Sequence, residues 1–248
     1  MADNSWVVPT LHLVARGVVG TIEIAVASVF VSLALGTLLG ALLCLPRSPT
    51  GAALRWTLQG YLQLFRGLPV LVTLFIVFFV SPSLGIRLGS VPAAIAGLSL
   101  WGSANIMEVV RGAVRSIPTA QSEAASALGF GWGDVMRWVV LPQALKRALP
   151  PAVNLVVDLI QATTLAFLIG VVDVLQRSRE ATAFYQLSSG SGHATPIFAG
   201  VLLFFFLLCF PLTLLAGRME RRSSSPRWPS RDLPPPAGVV AASVGAAS

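Results

Sequence analysis

Apolar residues run along this chain in blocks too long to need a polar face. Residues 24–46, 67–86 and 88–107 contain no charged side chain, 148–172 contain only Asp158, and 181–217 contain no ionisable group but His193, Cys209 and Tyr185. About 20 apolar helical residues cross the hydrocarbon core of a bilayer. The pattern therefore predicts five membrane-spanning helices. The first covers 24–46 and starts near Gly17, and the second covers 67–86 with 59–65 leading into it. The third covers 88–107, the fourth 148–172 and the fifth 196–216. The predicted fold is all-α and integral to the membrane. A polar island at about 115–142 separates the third and fourth spans.

Composition agrees with the pattern. Of the 248 residues 55% are hydrophobic and 11% charged, against about 25% charged in an average soluble domain. That is too little charge to surround a soluble core. The formal charge of +7 does not describe a nucleic-acid surface, because the basic residues sit at the ends of apolar runs rather than among aromatics on one polar face. Their placement gives an orientation instead. With the N-terminus outside, the outer segments keep only Arg16, Arg87, Arg177 and Arg179, and the other thirteen of the seventeen basic residues are cytoplasmic, as the positive-inside rule expects. The polar island then lies on the side of the membrane that holds ATP. Residues 1–16 form an outer segment and 17–222 the membrane domain. Residues 223–248 form a cytoplasmic tail rich in Ser, Pro and Ala, expected to be disordered.

Lys146 is the sole lysine, preceded by Ala144 and Leu145. The chain thus lacks the G-x-x-x-x-G-K-[ST] phosphate loop, and any ATP hydrolysis falls to another polypeptide. Cys44 and Cys209 lie in apolar runs and read as small buried hydrophobes. His12 and His193 read as solvated loop residues, and no metal site is expected from this set.

The polar island carries its own helix signals. Pro118 can open a helix, since its missing N–H is not needed in the first turn. Ala124, Ala125, Ala127 and Leu128 are good helix formers, and Gly129 can close the helix in a left-handed conformation. Glu123 lies in the N-terminal half, where the helix dipole favours an anion. Roughly three turns result, faced with residues small enough for another protein to approach closely.

The spacing within the island resembles that of a known family. Glu123-Ala124-Ala125 is followed after three residues by Gly129, and nine residues later come Val139, Val140, Leu141 and Pro142. This is similar to the EAA loop of ABC-importer permeases, EAA-x3-G-x9-I-x-L-P, with Val139 in place of isoleucine. Residues from about 17 to 222 look like the permeases of polar amino acid uptake. Gly20-Thr21-Ile22-Glu23, Leu64-Phe65-Arg66-Gly67 with Pro69, Glu108-Val109-Val110-Arg111-Gly112, Ser116-Ile117-Pro118 and Leu141-Pro142-Gln143-Ala144 carry that likeness.

The resemblance implies a type I ABC-importer fold and a multi-pass place in a bacterial cytoplasmic (inner) membrane. It also implies a coupling role for Glu123, Ala124, Ala125, Gly129, Leu141 and Pro142. The implied partners are two ATPase subunits carrying ATP and Mg, a second copy or paralogue of the permease, an extracytoplasmic solute-binding protein and membrane lipid, with no nucleic acid. No cofactor is expected on this chain, and it is expected to be a transport subunit rather than an enzyme. The substrate implied is a polar amino acid; an opine, a sulfur amino acid or another small polar solute are alternatives. A membrane scaffold or a channel are the rival classes, but a scaffold would tolerate loss of the loop spacing, and a channel would leave the loop unexplained.

Asn154, Asp158 and Gln161 recur at i, i+4 and i+7 and share a helix face, which Thr164 extends. A carboxylate near mid-membrane costs about 2.5–3.5 kcal/mol on insertion scales, so Asp158 must face water, a partner or a substrate. The face either holds a substrate ammonium in the translocation path or forms a polar seam at a dimer interface. Where the resembled family usually has Lys-Asp-Thr-Ser, this chain has Gln161-Ala162-Thr163-Thr164. Arg66 and Glu108, near span ends, are either interfacial anchors or contributors to the path. Gly36 and Gly40 form a G-x-x-x-G that is either a close helix contact or chance.

Overall fold

In the computed structural model, the described residues are 6–45, 51–190 and 193–223. Pro46, Arg47 and the tail beyond Ser223 lie outside them, as do the first five residues. Among the described residues the chain is helical. The elements are α1 (Val7–Leu43), α2 (Ala52–Gly67), α3 (Val70–Phe75), α4 (Ser90–Arg115), α5 (Thr119–Ala127), the short α6 (Trp132–Asp134), α7 (Leu141–Ala162), α8 (Val174–Ser189) and α9 (Ala194–Ser223). Four helical stretches are long and apolar enough to cross a membrane, and the bent pair of α2 with α3 makes a fifth.

The core is built where small residues let helices meet. The buried face of α1 runs through Gly17, Thr21, Ile24, Ser28, Ser32, Gly36 and Gly40, a three-and-four spacing that lines one side of a helix. This face lies along α4. A Cβ on Gly36 would stand 2.6 Å from the Ile106 Cβ, and one on Gly40 would stand 2.8 Å from the Val110 Cβ. The G-x-x-x-G is therefore a close helix contact, as small residues permit in lipid. Deeper in the bundle, Ile24, Leu74, Leu98, Leu159 and Val171 join α1, α3, α4, α7 and the segment before α8 in one cluster.

Several boundaries differ from the sequence reading. The first helix begins at Val7, so His12 is a helical residue rather than a loop residue; it is exposed, as is Arg16. The second span is not straight: α2 and the 70–84 stretch meet at 110°. Leu68 is extended and Pro69 precedes α3 with φ −57° and ψ 140°, because proline excludes the helical conformation from the residue before it. The fourth span starts earlier, since helical structure runs from Trp132 to Ile169. Pro150 and Pro151 lie inside α7. The span tightens to a 3-10 helix over Thr163–Ile169 and stops at Gly170, whose φ is 83°. α8, not anticipated as a helix, follows this turn.

Candidate functional site

The coupling segment is a helix closed at both ends by its own sequence. Pro118 precedes α5 in an extended conformation. At the far end Gly129 has φ 90°, donates to the Ser126 carbonyl at 2.9 Å, and is followed by Phe130 donating to the Ala125 carbonyl at 3.2 Å. These two bonds are the Schellman pattern, which satisfies the last carbonyls of a helix and requires a left-handed residue. Gly129 is therefore dictated by backbone geometry.

Ala125 is buried and packs in a cluster with Ala113, Ile117, Val135, Val140 and Ala144. This fixes α5 to the end of α4 and the start of α7. Glu123, Ala124 and Gly129 are exposed, and Leu128 beside them is 80% exposed. Leu141 and Pro142 are also exposed, but they stand at the first turn of α7, where proline costs no hydrogen bond. The six loop residues thus divide into an outward-facing set on α5, one buried anchor, and a helix start.

Polar ties reinforce this packing. The Gln143 amide donates to Gln121 Oε1 at 2.6 Å and to the Val139 carbonyl at 2.9 Å. Arg147 Nη1 donates to the Ser116 carbonyl at 2.5 Å and to Ser116 Oγ at 3.1 Å. Ser116 closes α4, so the guanidinium sits where a helix dipole attracts a cation. Neither tie is evident from sequence spacing, since the partners are 22 and 31 residues apart.

Arg66 and Glu108 come together. Glu108 accepts from Arg111 Nε at 2.7 Å and from Arg111 Nη2 at 2.5 Å, and Arg66 Nη1 lies 3.6 Å from Glu108 Oε1. The trio joins the end of α2, next to the bend, to α4. A bidentate arginine–carboxylate pair fixes direction as well as distance.

Asn154, Asp158 and Gln161 do share a face, and all three are exposed on the chain's surface. Thr164 is half-buried, and its hydroxyl donates back to the Gln161 carbonyl at 2.7 Å. Asn154 Nδ2 lies 3.5 Å from Glu220 Oε1 of α9. Two apolar grooves of about 370 Å³ each lie elsewhere. One, between α1 and α9, includes Trp6, Thr10, Val14 and Phe204; the other includes Val26, Phe30, Val156 and Leu208. Neither includes this polar face.

One buried acid escaped the sequence reading. Asp173 is fully buried and caps α8, its Oδ1 accepting the Gln176 N–H at 2.7 Å. Burial pushes its carboxyl up to about 6, against the pull of backbone N–H groups that favour the anion. The turn is clasped by α1. Thr21 Oγ1 accepts the Val174 N–H at 3.0 Å, while Cβ atoms on Gly17 and Gly20 would stand 2.6 Å from the Asp173 backbone carbonyl oxygen and 2.7 Å from that of Val172. An aspartate followed three residues later by glutamine is a helix-start signal, and that signal was available.

Residues 22–225 match the family model described as "Binding-protein-dependent transport system inner membrane component". The probable amino-acid ABC transporter permease protein YckA of Bacillus subtilis is 43% identical over 150 residues, 60% of this chain and 66% of that protein. The arginine transport system permease protein ArtQ of the same organism is 31% identical, covering 90% of this chain and 98% of its own. The glutamine transport system permease protein GlnP of Escherichia coli is 30% identical over 89% and 97%. Among solved structures, an amino acid ABC transporter with histidines shares the fold at a TM-score of 0.76 and 21% identity, covering 90% of this chain and 99% of that one. The MetNI methionine ABC transporter, in an inward-facing conformation, follows at 0.67 and 25%, over 91% and 100%.

Proposed function

The chain belongs to the family of binding-protein-dependent transport system inner membrane components, and we propose that it is the membrane-spanning subunit of an ATP-driven importer of a polar amino acid. The observation that carries this reading is the α5 segment, which keeps Ala125 for its own packing and turns Glu123, Ala124 and Leu128 outward. Its relatives' roles in arginine and glutamine transport support the substrate class.

In this reading α5 is the coupling helix, seated in a cleft of a separate ATPase subunit. ATP and Mg are held there, not on this chain. The assembly has two ATPase subunits, a second copy or paralogue of the permease, and an extracytoplasmic solute-binding protein that delivers the substrate. Closure of the ATPase pair pulls α5, and the spans alternate between outward and inward openings. The N-terminus is outside and the C-terminus cytoplasmic. The exposed Asn154, Asp158 and Gln161 face the translocation path, where a carboxylate would attract a substrate ammonium. Arg66 and Glu108 hold the bent α2–α3 pair against α4 at the edge of that path.

The test is reconstitution of the permease with its ATPase and binding protein in proteoliposomes, supplied with L-glutamine or L-arginine. ATP-dependent accumulation of either supports the reading. Failure of any ATPase subunit to co-purify with the permease sinks it. Orientation is checked with cysteines at Leu187 and Trp132 in a Cys44- and Cys209-free chain. An impermeant maleimide added from outside should label only the first.

A further inference from the structure

The ties that hold α5 in place reach further along α7 than the coupling segment itself. Gln143 grips Gln121 of α5, and Arg147, one turn on, grips the Ser116 carbonyl where α4 hands over to α5. Between them Ala144 is buried against the anchor Ala125. At about 100° per residue, Gln143, Arg147, Asn154, Asp158 and Gln161 fall within an arc of roughly 60°. They form one polar stripe along a single continuous helix, Leu141–Ala162. From Gln143 to Gln161 the stripe runs roughly 27 Å at 1.5 Å per residue, close to the depth of a hydrocarbon core.

From this geometry we infer that α7 is a lever, and that Gln143 and Arg147 are positioning residues that pass the displacement of α5 to the intramembrane face at Asn154, Asp158 and Gln161. The inference rests on the importer reading above. Its physical basis is the contrast between the two kinds of tie. Apolar packing around Ala125 holds the surfaces together but is non-directional. One guanidinium nitrogen shared between the Ser116 carbonyl and hydroxyl, and an amide pair, are hydrogen bonds, which depend on direction. Arg147 also sits at the C-terminal end of α4, where its charge is favoured, so α7 holds α4 at Ser116, two residues before Pro118 opens α5.

The test uses the complete transporter in proteoliposomes, with ATP hydrolysis measured before and after addition of binding protein loaded with L-glutamine or L-arginine. Arg147→Ala is expected to keep the ATPase subunit bound and basal hydrolysis within about twofold. Stimulation and uptake should fall about tenfold, the scale of an ordinary coupling energy. Arg147→Lys, which still donates to the carbonyl, should recover most of the stimulation. Gln143→Leu is expected to uncouple in the same way, and stands in if Arg147→Ala does not assemble. Wild-type stimulation in both Arg147→Ala and Gln143→Leu would overturn the lever and leave the importer reading intact. Loss of ATPase binding in both would overturn it as well, by making these residues docking contacts. Absence of stimulation in the wild-type complex would overturn the importer reading and the lever with it.

Discussion

In the N-terminal half of α1, Gly17 and Gly20 lie directly beneath the backbone of the 172–174 turn, whereas at the tip of α5 no atom lies within 4 Å of where a Cβ on Gly129 would stand. Both regions are built from the smallest residues, and both looked alike as composition. In the first, the chain fills the space with its own carbonyls, and Thr21 adds a hydrogen bond across 153 residues. In the second, the glycine is needed only for its left-handed backbone, and the surface around it stays open. A small residue that is crowded marks internal packing; a small residue that is open and backbone-constrained marks a shape offered to something else. The difference separates residues that set stability from residues that, in the reading proposed above, serve coupling.

The sharpest way to break this division is at Glu123 and Gly129. Glu123→Lys should reduce uptake to background while the protein remains in the membrane and melts within a few degrees of the wild type. Gly129→Asp should also abolish uptake, with an added loss of about 1–2 kcal/mol for a side chain held at φ 90°. A large fall in melting temperature in Glu123→Lys would move α5 into the packed class. Gly17→Val is the converse. Its side chain meets backbone it cannot displace, and overpacking of this kind costs about 1–3 kcal/mol, or roughly 2–12 °C at this chain length. Uptake per folded molecule should hardly change.

A pH series sharpens the clasp itself. The carboxyl of Asp173 is raised to about 6 from an ordinary value of 3.8. The folded state therefore holds its proton more tightly than the unfolded chain does between those values. Stability should fall as pH rises from about 4 to 6, then level off. Asp173→Asn, which keeps an oxygen for the Gln176 N–H, should flatten that fall in a melting series. An unchanged slope would assign it to other groups. The smallest effect is expected at Asp158. Asp158→Asn should weaken uptake of a cationic substrate a few-fold more than that of a neutral one, as one surface-accessible charge pair would. Equal effects on both would leave the face as a seam between copies.

The coupling helix was legible because its signals are local. Pro118 and Gly129 punctuate it, and nothing distant is needed to place them. The spans were legible as apolar length, and so was the all-α fold. What sequence could not give was the bend at Leu68-Pro69, because an uncharged run reads as straight even when a proline interrupts it. It also could not give the clasp on Asp173, which depends on glycines some 150 residues earlier in the chain. Asn154, Asp158 and Gln161 were correctly grouped by period. Their exposure on the outer surface of the single chain was beyond the pattern, since period assigns a face but not what the face meets. In the sequence Gln143 stands only as part of a motif and Arg147 only as a charge. Their partners became visible once α4, α5 and α7 were folded together.

The near absence of lysine, which denies the chain a phosphate loop, also limits its amine chemistry. Lys146 is exposed and lies in the second turn of α7, on the side of the helix away from the buried Ala144, so the one side-chain amine in the sequence stands on the open face at the start of that helix. Amine-directed reagents will modify this chain only there and at its N-terminus. Reactivity of that single amine thus offers a built-in reporter of whether this face of α7 is covered by a partner, readable by mass spectrometry of the intact chain without introducing any label.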